Sequence, residues 1–159
     1  APSFGACAHA MRYGLFDGFV TGSKDGQPVA PLMGDIRDYD GGAGDFQMGP
    51  LTFMLNYPDH CVLYRFVPRS RTETDMELVW LVREDAVEGK DYEVENLTWL
   101  WHHTTLEDEY IITRNAAGVN SRFFEPGPYH SEFEFTLQQF VHWYLHSLEA
   151  SLNCETGPR

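Results

Sequence analysis

Basic residues are scarce in this sequence of 159 residues, where 11 lysines and arginines stand against 24 aspartates and glutamates and the formal net charge is −13. A chain this acidic repels phosphate, so the composition argues against nucleic-acid binding and against docking on anionic lipid. No apolar run is long enough to span a membrane, and the first residues lack the basic and apolar regions of a signal peptide. We therefore expect a cytoplasmic protein with no nucleic-acid or membrane partner.

Cysteine is equally scarce, and Cys7, Cys61 and Cys154 lie far apart in the sequence. Three cysteines are too few for a disulfide framework, so we expect reduced thiols. Cys7 and His9 have the spacing of half a Rieske cluster site, but no second cysteine–histidine pair follows. The chain therefore predicts no iron–sulfur cluster of its own.

Apolar residues make up 43% of the chain and aromatic residues 14%, which is typical of a folded domain with a core. We assign residues 1–150 to one domain and residues 151–159 to a polar tail. The first fifty residues are rich in Gly, Pro and Asp. Within them we expect one strand in 11–21 and a loop at 40–45.

Short strands with polar turns follow from Leu51 onward. Alternating apolar residues predict strands at 51–57, 60–67 and 74–83, with the turn at Pro58-Asp59. Three strands in close succession indicate an antiparallel meander that is half buried on one face.

After Gly89 the apolar period changes to that of helices. A first helix is expected over 94–115, capped by Asp91 and closed by Gly118. Ser131 and Glu134 predict a capping box for a second helix. Each helix carries an apolar stripe: Leu97, Leu100, Trp101, Thr104, Ile111 and Ile112 on the first, and Leu137, Phe140, Val141, Tyr144, Leu145 and Leu148 on the second. Strands followed by long helices indicate an α+β fold with the helices on one face of the sheet.

Asp108 is the residue that does not fit its position. It falls on the apolar stripe of the first helix, so we expect it to be buried against the sheet, whereas Glu107 and Glu109 point to solvent. A buried carboxylate needs a partner. An arginine or a backbone amide is the commoner partner, and a metal ion or a catalytic acid–base role is the alternative.

The histidines are weaker candidates for a site. His142 and His146 are one helical turn apart, but they lie off the apolar stripe and lack the glutamate of a zinc-protease motif. His102 and His103 are adjacent and therefore point in different directions. His130 lies in a Pro-rich connector. We therefore expect His142 and His146 on a solvated helix face, His102 and His103 away from the Asp108 side, and His130 as a loop residue.

Residues 89–148 contain an ordered set of motifs: Gly-Lys-Asp-Tyr-Glu-Val-Glu-Asn-Leu-Thr-Trp-Leu-Trp (89–101), Thr104-Thr105, Asp108, Gly-Val-Asn-Ser-Arg (118–122), Glu-Pro-Gly-Pro-Tyr (125–129), Phe140 and Trp143-Tyr144. This set resembles the C-terminal half of the catalytic domain of Rieske non-haem iron oxygenases, which include the large subunits of aromatic-ring-hydroxylating dioxygenases. The similarity is greatest to the branch that acts on phenylpropionate-like and quaternary-amine substrates.

The resemblance implies a helix-grip fold (START/Bet v 1-like), in which an antiparallel sheet wraps a long C-terminal helix. It maps Asp108 onto the carboxylate that holds a mononuclear Fe(II) together with two histidines. It further implies a [2Fe-2S] Rieske cluster in an upstream domain, and electrons from NAD(P)H through a separate reductase or ferredoxin. A homotrimer or hetero-oligomer would hydroxylate an aromatic or quaternary-amine substrate with dioxygen.

The sequence also departs from that family. The two histidine ligands and the Rieske domain have no counterpart in it, and Thr113 and Ala116 stand where the family often has Glu and Gln. This chain corresponds to the second half of a catalytic domain. The alternative is a helix-grip pocket that binds a small apolar ligand without catalysis, and the aromatic residues suit either function: Trp80, Trp99, Trp101, Phe123 and Phe124.

Overall fold

The computed structural model describes the backbone of residues 8–155 and the side chains of residues 9–152. The expectations for Cys7 and for the Cys154 side chain lie outside the described residues, whereas Cys61 is a free thiol as expected. Five strands and two helices follow one another in this range: β1 (Ala8–Gly14), β2 (Gly42–Met48), β3 (Thr52–Asn56), β4 (Cys61–Pro68), β5 (Thr74–Leu81), α1 (Val94–Val119) and α2 (Phe135–Glu155). Neither helix is long and apolar enough to cross a membrane.

The strands form one antiparallel sheet in the order β1-β2-β3-β4-β5. The expected α+β class and the three-strand meander are confirmed, because β3, β4 and β5 lie where the alternating pattern places them. Leu55 pairs with Val62, and Val62 pairs with Trp80. Paired residues project from the same face of a sheet, so the apolar residues of these strands share one face as predicted.

Two expectations for the first fifty residues are corrected. The strand expected in 11–21 is β1, which begins and ends earlier, and the loop expected at 40–45 is wrong because β2 begins at Gly42. Gly42 is buried opposite Gly14, and a Cβ on it would lie 2.6 Å from Nη2 of Arg12. Glycine here lets the Arg12 side chain cross the strand and pair with Asp40. The Gly-rich composition of residues 40–45 thus predicts a loop, although most of these residues belong to β2.

Helix α1 contacts the sheet through its first half. Leu97 is buried, and Trp101 lies against two tyrosines of the sheet. The N-cap residue is Glu93 and not Asp91, which instead accepts a hydrogen bond of 3.0 Å from the Val87 N–H. The helix continues to Val119, four residues beyond the expected end.

Helix α2 begins differently from the expected capping box. The Glu134 carboxylate accepts a hydrogen bond from the backbone N–H of His130, and His130 Nδ1 accepts from two backbone N–H groups at 3.2 Å, so His130 takes the part expected of Ser131. The helix runs to Glu155, and residues 151–155 of the expected tail are therefore helical. Its apolar stripe was expected to be buried, but Tyr144 and Leu145 are more than half exposed.

The irregular segment 15–41 is attached to the sheet by one buried carboxylate. Asp59, in the β3–β4 turn, is fully buried and accepts hydrogen bonds from the Thr21 hydroxyl, from the Val29 N–H at 2.9 Å and from His60 Nδ1 at 2.8 Å. Burial by itself raises the pKa of Asp59, but the hydrogen bond and the charge of His60, together with the hydrogen bonds from Thr21 and Val29, outweigh it and hold the pKa below its usual value. Asp59 therefore stabilises the fold above its unfolded-state pKa, and this contribution is lost as pH falls through the folded-state pKa.

The same segment packs closely on Tyr57. Gly22 is buried, and a Cβ on it would lie 2.2 Å from Cζ of the Tyr57 ring and 2.5 Å from Cε2. Both residues are enclosed, so neither can move aside without disturbing the Asp59 hydrogen bonds next to them.

Replacing Gly22 with alanine should lower the free energy of unfolding by about 1–3 kcal/mol, because the added methyl group overlaps the Tyr57 ring. Denaturant unfolding of the intact protein measures this change. Gly118→Ala is the matched control, since a Cβ there meets no atom within 4 Å. The packing account is contradicted if Gly22→Ala is as stable as Gly118→Ala.

Candidate functional site

One face of the sheet lies beneath α1 and combines aromatic rings with a carboxylate. Asp45 pairs with Leu55, which pairs with Val62, so all three side chains project from the same face. Tyr64 lies two residues beyond Val62 on β4 and contacts Trp101 of α1. The face that carries Asp45 is therefore the face that α1 covers.

Five rings form an aromatic layer between the sheet and α1: Phe53, Tyr57, Tyr64, Phe66 and Trp101. The Trp101 ring lies 6.4 Å from the Tyr57 ring and 6.2 Å, edge to face, from the Tyr64 ring. Phe66 continues the layer, since its ring lies 6.5 Å from that of Tyr64 and 5.9 Å from that of Phe53. Such contacts fix the crossing of α1 over the sheet and present ring faces to the space beside them.

Asp45 is held at the edge of the aromatic layer by a tyrosine. The Tyr13 hydroxyl donates a hydrogen bond of 3.1 Å to Oδ1 of Asp45. Burial raises the pKa of Asp45, although the Tyr13 hydrogen bond lowers it in part. Burial also raises the pKa of Tyr57, and the neighbouring Tyr13 hydroxyl and Asp45 charge raise it further. The group is a half-buried carboxylate surrounded by protonated phenols.

Asp108 is exposed, which corrects the expectation that it would be buried against the sheet. The sheet covers α1 only as far as Thr105, and Ile111 and Ile112 of the same stripe are 61% and 63% exposed. The helical period correctly puts these residues on one side of α1. It cannot show where the covering sheet ends.

Asp108 nevertheless lies on the sheet side of α1. The Tyr64 hydroxyl shares a hydrogen bond of 3.3 Å with the Thr105 hydroxyl, one turn before Asp108. Burial raises the pKa of Tyr64, the Thr105 bond lowers it and the nearby Asp108 charge raises it. In the described part of the chain no arginine, lysine or histidine forms an ion pair with Asp108, so the structural partner considered above is not found.

Asp108 could supply one ligand to a metal ion. No group of three or more histidine, cysteine, aspartate or glutamate side chains in the described residues could hold a metal ion. An uncompensated carboxylate beside an aromatic layer is chemically suited to a cation that other ligands also hold. Residues 9–152 therefore contain no complete metal site.

Asp59 and His60 are functional candidates that the sequence analysis does not identify, because the pattern around Asp59 predicts only a turn. His60 is fully buried, and its ring stacks on that of Tyr57 at 4.9 Å. Its Nδ1 atom is bonded to Asp59, but Nε2 has no hydrogen-bond partner among the described residues. The indole nitrogens of Trp80 and Trp101 share that condition. The sequence signal that could have identified them is an adjacent Asp and His between two apolar strands.

Five further histidines, His102, His103, His130, His142 and His146, are exposed, as expected for His142 and His146. His103 stacks on Trp99 at 4.4 Å, and His130 Nδ1 accepts hydrogen bonds from backbone N–H groups of the turn that precedes α2. None of them lies in the aromatic layer.

Two cavities open beside the sheet, and the second includes Tyr57 of the aromatic layer in its lining. One of about 660 Å³ is bounded by residues 24–31 and the beginning of α1, and its charged lining is mixed: Lys24, Asp25, Lys90, Asp91 and Glu93. The other, of about 430 Å³, involves Arg12, Asp40 and Phe46. Because both signs of charge line the first cavity, it selects no obvious ligand.

Comparison with known proteins places these features in a family. The family model described as "Ring hydroxylating alpha subunit (catalytic domain)" matches residues 12–150. The chain is 35% identical over 156 residues to glycine betaine monooxygenase oxygenase subunits of two Pseudomonas aeruginosa strains, covering 98% of this chain and 36% of each relative. It is 33% identical over 153 residues to the subunit of that name from Chromohalobacter salexigens, covering 96% of the chain and 34% of the relative.

The chain thus spans about a third of the length of the curated relatives that it matches. The match extends through the sheet, the aromatic layer and α1, and it agrees with the resemblance carried by the motifs between residues 89 and 148. The chain belongs to the family of ring-hydroxylating alpha-subunit catalytic domains, that of the Rieske non-haem iron oxygenases.

Proposed function

We propose that this chain forms part of the mononuclear-iron catalytic domain of a Rieske-type oxygenase and that Asp108 is its carboxylate iron ligand. The observation that carries the proposal is Asp108 itself, which lies near Tyr64 at the end of the aromatic layer and has no cationic side chain as partner in the described residues. The family resemblance maps the iron carboxylate onto this residue. The two histidine ligands would come from outside residues 9–152.

Ferrous iron held by two histidines and one carboxylate keeps open positions at which dioxygen and substrate can meet. The described residues supply the surroundings of that centre. The aromatic layer excludes water from the space beneath α1, and the Tyr64–Thr105 hydrogen bond fixes the turn of α1 that precedes Asp108. We propose that the domain is a helix-grip fold in which the sheet and α1 enclose the substrate.

The intact protein would need partners that this chain does not contain. By the family resemblance, electrons pass from NAD(P)H through a separate reductase or ferredoxin to a [2Fe-2S] Rieske cluster and then to the mononuclear iron. A trimer would bring the cluster of one subunit near the iron of its neighbour.

Replacing Asp108 with alanine in the intact protein should remove the mononuclear iron and abolish hydroxylation, because the carboxylate ligand is lost. Metal analysis and product formation measure the two effects, and the Rieske absorption spectrum should remain.

Glu107→Ala is the matched control, since Glu107 is an exposed carboxylate adjacent on the same helix. It should keep full iron content and activity. An Asp108→Ala variant that keeps its iron and its activity would contradict the assignment of Asp108 as an iron ligand. It would favour the alternative of a pocket that binds an apolar ligand without catalysis.

For the substrate we propose a quaternary amine such as glycine betaine. The named relatives act on that compound, and the aromatic layer with Asp45 has the chemistry to bind it. A quaternary ammonium has no N–H to donate, so proteins bind it with aromatic ring faces and a nearby negative charge. Tyr57 and Trp101 offer the rings, and Asp45 offers the charge.

The raised pKa of Asp45 also fits a role in binding a cation. Its folded-state pKa is raised by burial, so the ionised form is destabilising in the fold. Protonation of Asp45 therefore adds to the free energy of unfolding, and this contribution is fully present at pH values below the unfolded-state pKa. It is lost as the pH rises through the folded-state pKa. At neutral pH the carboxylate therefore costs stability, which a bound cation would restore.

Asp45→Asn should raise KM for a quaternary amine by about tenfold, equivalent to about 1.4 kcal/mol of binding free energy, and should increase thermal stability at neutral pH. Asparagine keeps an oxygen that can accept the Tyr13 hydrogen bond but removes the charge. Steady-state kinetics and thermal unfolding of the intact protein measure both effects.

The control for this variant is Glu77→Gln, the same chemical change at an exposed carboxylate on the opposite face of the sheet. It should leave KM unchanged. An Asp45→Asn variant with unaltered KM would show that the ammonium group binds elsewhere.

A further inference from the structure

We propose that Asp59 and His60 form a proton relay that serves the reaction beneath α1, with His60 Nε2 as the atom that takes up and passes on the proton. This inference rests on the proposed function. It concerns two residues that neither the family resemblance nor the relatives' names assign, and it begins from a polar atom that the fold buries without a partner.

The tautomer of His60 follows from Asp59. The hydrogen bonds around Asp59 hold its pKa below the usual value, so it is a carboxylate and can only accept. His60 Nδ1, 2.8 Å from Oδ1, must therefore carry the proton. Nε2 of a neutral His60 then has a free lone pair, which is the arrangement that a carboxylate imposes on a histidine used as a base.

A purely structural role would not need the second nitrogen. The Thr21 hydroxyl and the Val29 N–H already connect Asp59 to the segment 15–41. The stacking on Tyr57 and the Nδ1 hydrogen bond to Asp59 both leave Nε2 unused. This atom is fully buried and has no hydrogen-bond partner among the described residues. Leaving such an atom unpaired costs about 1–3 kcal/mol, so a water molecule or a ligand is the expected partner.

The other titratable groups around the pair retain their protons. Burial and the Asp59 charge raise the pKa of Tyr39 to about 12, and the same two causes raise the pKa of the Cys61 thiol. Burial raises the pKa of Tyr57 as well. His60 is the member of this cluster that has an unpaired nitrogen, Nε2, to accept a proton.

His60 is also placed toward the reaction site. Its ring stacks on Tyr57, Tyr57 contacts Trp101, and Trp101 precedes Asp108 by seven residues, which is two turns of α1. Each of these rings belongs to the aromatic layer or lies against it. A water molecule bonded to Nε2 would lie at the inner end of that layer.

The reaction needs protons. Hydroxylating a methyl C–H bond with dioxygen breaks that bond and the O–O bond, forms a C–OH group and releases the second oxygen atom as water. The balance requires two electrons, which come from NAD(P)H through the reductase, and two protons, which come from solvent. In this relay, Nε2 accepts a proton from a solvent water molecule and passes it, through a bound water molecule, toward the oxygen atom that is released as water, while Asp59 stabilises the transient imidazolium.

The test uses the intact, iron-loaded protein and three variants: His60→Gln, His60→Phe and Asp59→Asn. His60→Phe is the decisive one, because it keeps a ring against Tyr57 and removes both nitrogens. We expect kcat for product formation to fall by about 100-fold or more in all three, the lower limit of what positioned proton transfer contributes. Iron content and the substrate Kd, measured by calorimetry, should stay within about twofold, well under the tenfold that 1.4 kcal/mol represents.

His103→Gln, an exposed histidine stacked on Trp99, is the matched control and should keep wild-type kcat. A His60→Phe variant with wild-type kcat overturns the relay and leaves the proposed function intact. An iron-loaded wild-type protein that oxidises no quaternary amine instead contradicts the proposed substrate.

A second measurement needs neither a variant nor turnover. Neutron diffraction from the intact protein in D2O should show deuterium on His60 Nδ1, none on Nε2, and a water molecule or ligand as the Nε2 partner. Deuterium on Nε2 alone, or a protein side chain bonded to Nε2, would overturn the relay even if every variant failed to fold.

Discussion

The buried carboxylate of Asp59 is the interaction on which the rest of this structure depends. Removing an ionised carboxylate from water costs several kcal/mol, and the three donors around it offset that cost only if each is in place. One donor comes from the β3–β4 turn, and the other two come from the irregular segment between β1 and β2. The segment is thereby fixed without any regular secondary structure of its own, and its Gly22 backbone is brought onto Tyr57.

Tyr57 transmits this constraint to the helix. One of its faces is stacked on His60, and its ring contacts Trp101, so Tyr57 connects the Asp59 cluster to α1. Tyr64 makes the second contact with Trp101 and fixes the next turn through Thr105. Asp108 projects from the turn after that. A carboxylate that the family resemblance assigns to iron is thus positioned by a hydrogen-bond cluster two contacts away.

The strands from Leu51 onward could be predicted because the strict alternation of apolar residues indicates which side chains lie on the covered face of the sheet. The first helix was equally predictable in position, but the burial of Asp108 was not, since the helical period says which residues share a side and not how far the covering sheet extends. The assignment of Asp108 to iron comes from the motifs around it and stays a prediction.

The glycine-rich residues that form β2 and the Asp59–His60 pair were missed for a different reason. Composition favours a loop at Gly42, whereas the observed strand depends on pairing with β1 nearly thirty residues earlier in the chain. The importance of Asp59 likewise depends on Thr21 and Val29, which are about thirty or more positions away. Contacts between residues so far apart in the chain produce no periodic pattern in the local sequence. Their partners can therefore be identified only from the folded structure.

The central claim is that Asp108 binds the mononuclear iron beside the aromatic layer. Anomalous X-ray diffraction from crystals of the intact protein, recorded on both sides of the iron absorption edge, tests it most directly. The account predicts a single-atom iron peak at direct bonding distance from an Asp108 carboxylate oxygen, on the side of α1 that faces Tyr64. A fully occupied mononuclear iron peak bonded to other residues, with Asp108 remote from it, would contradict the account.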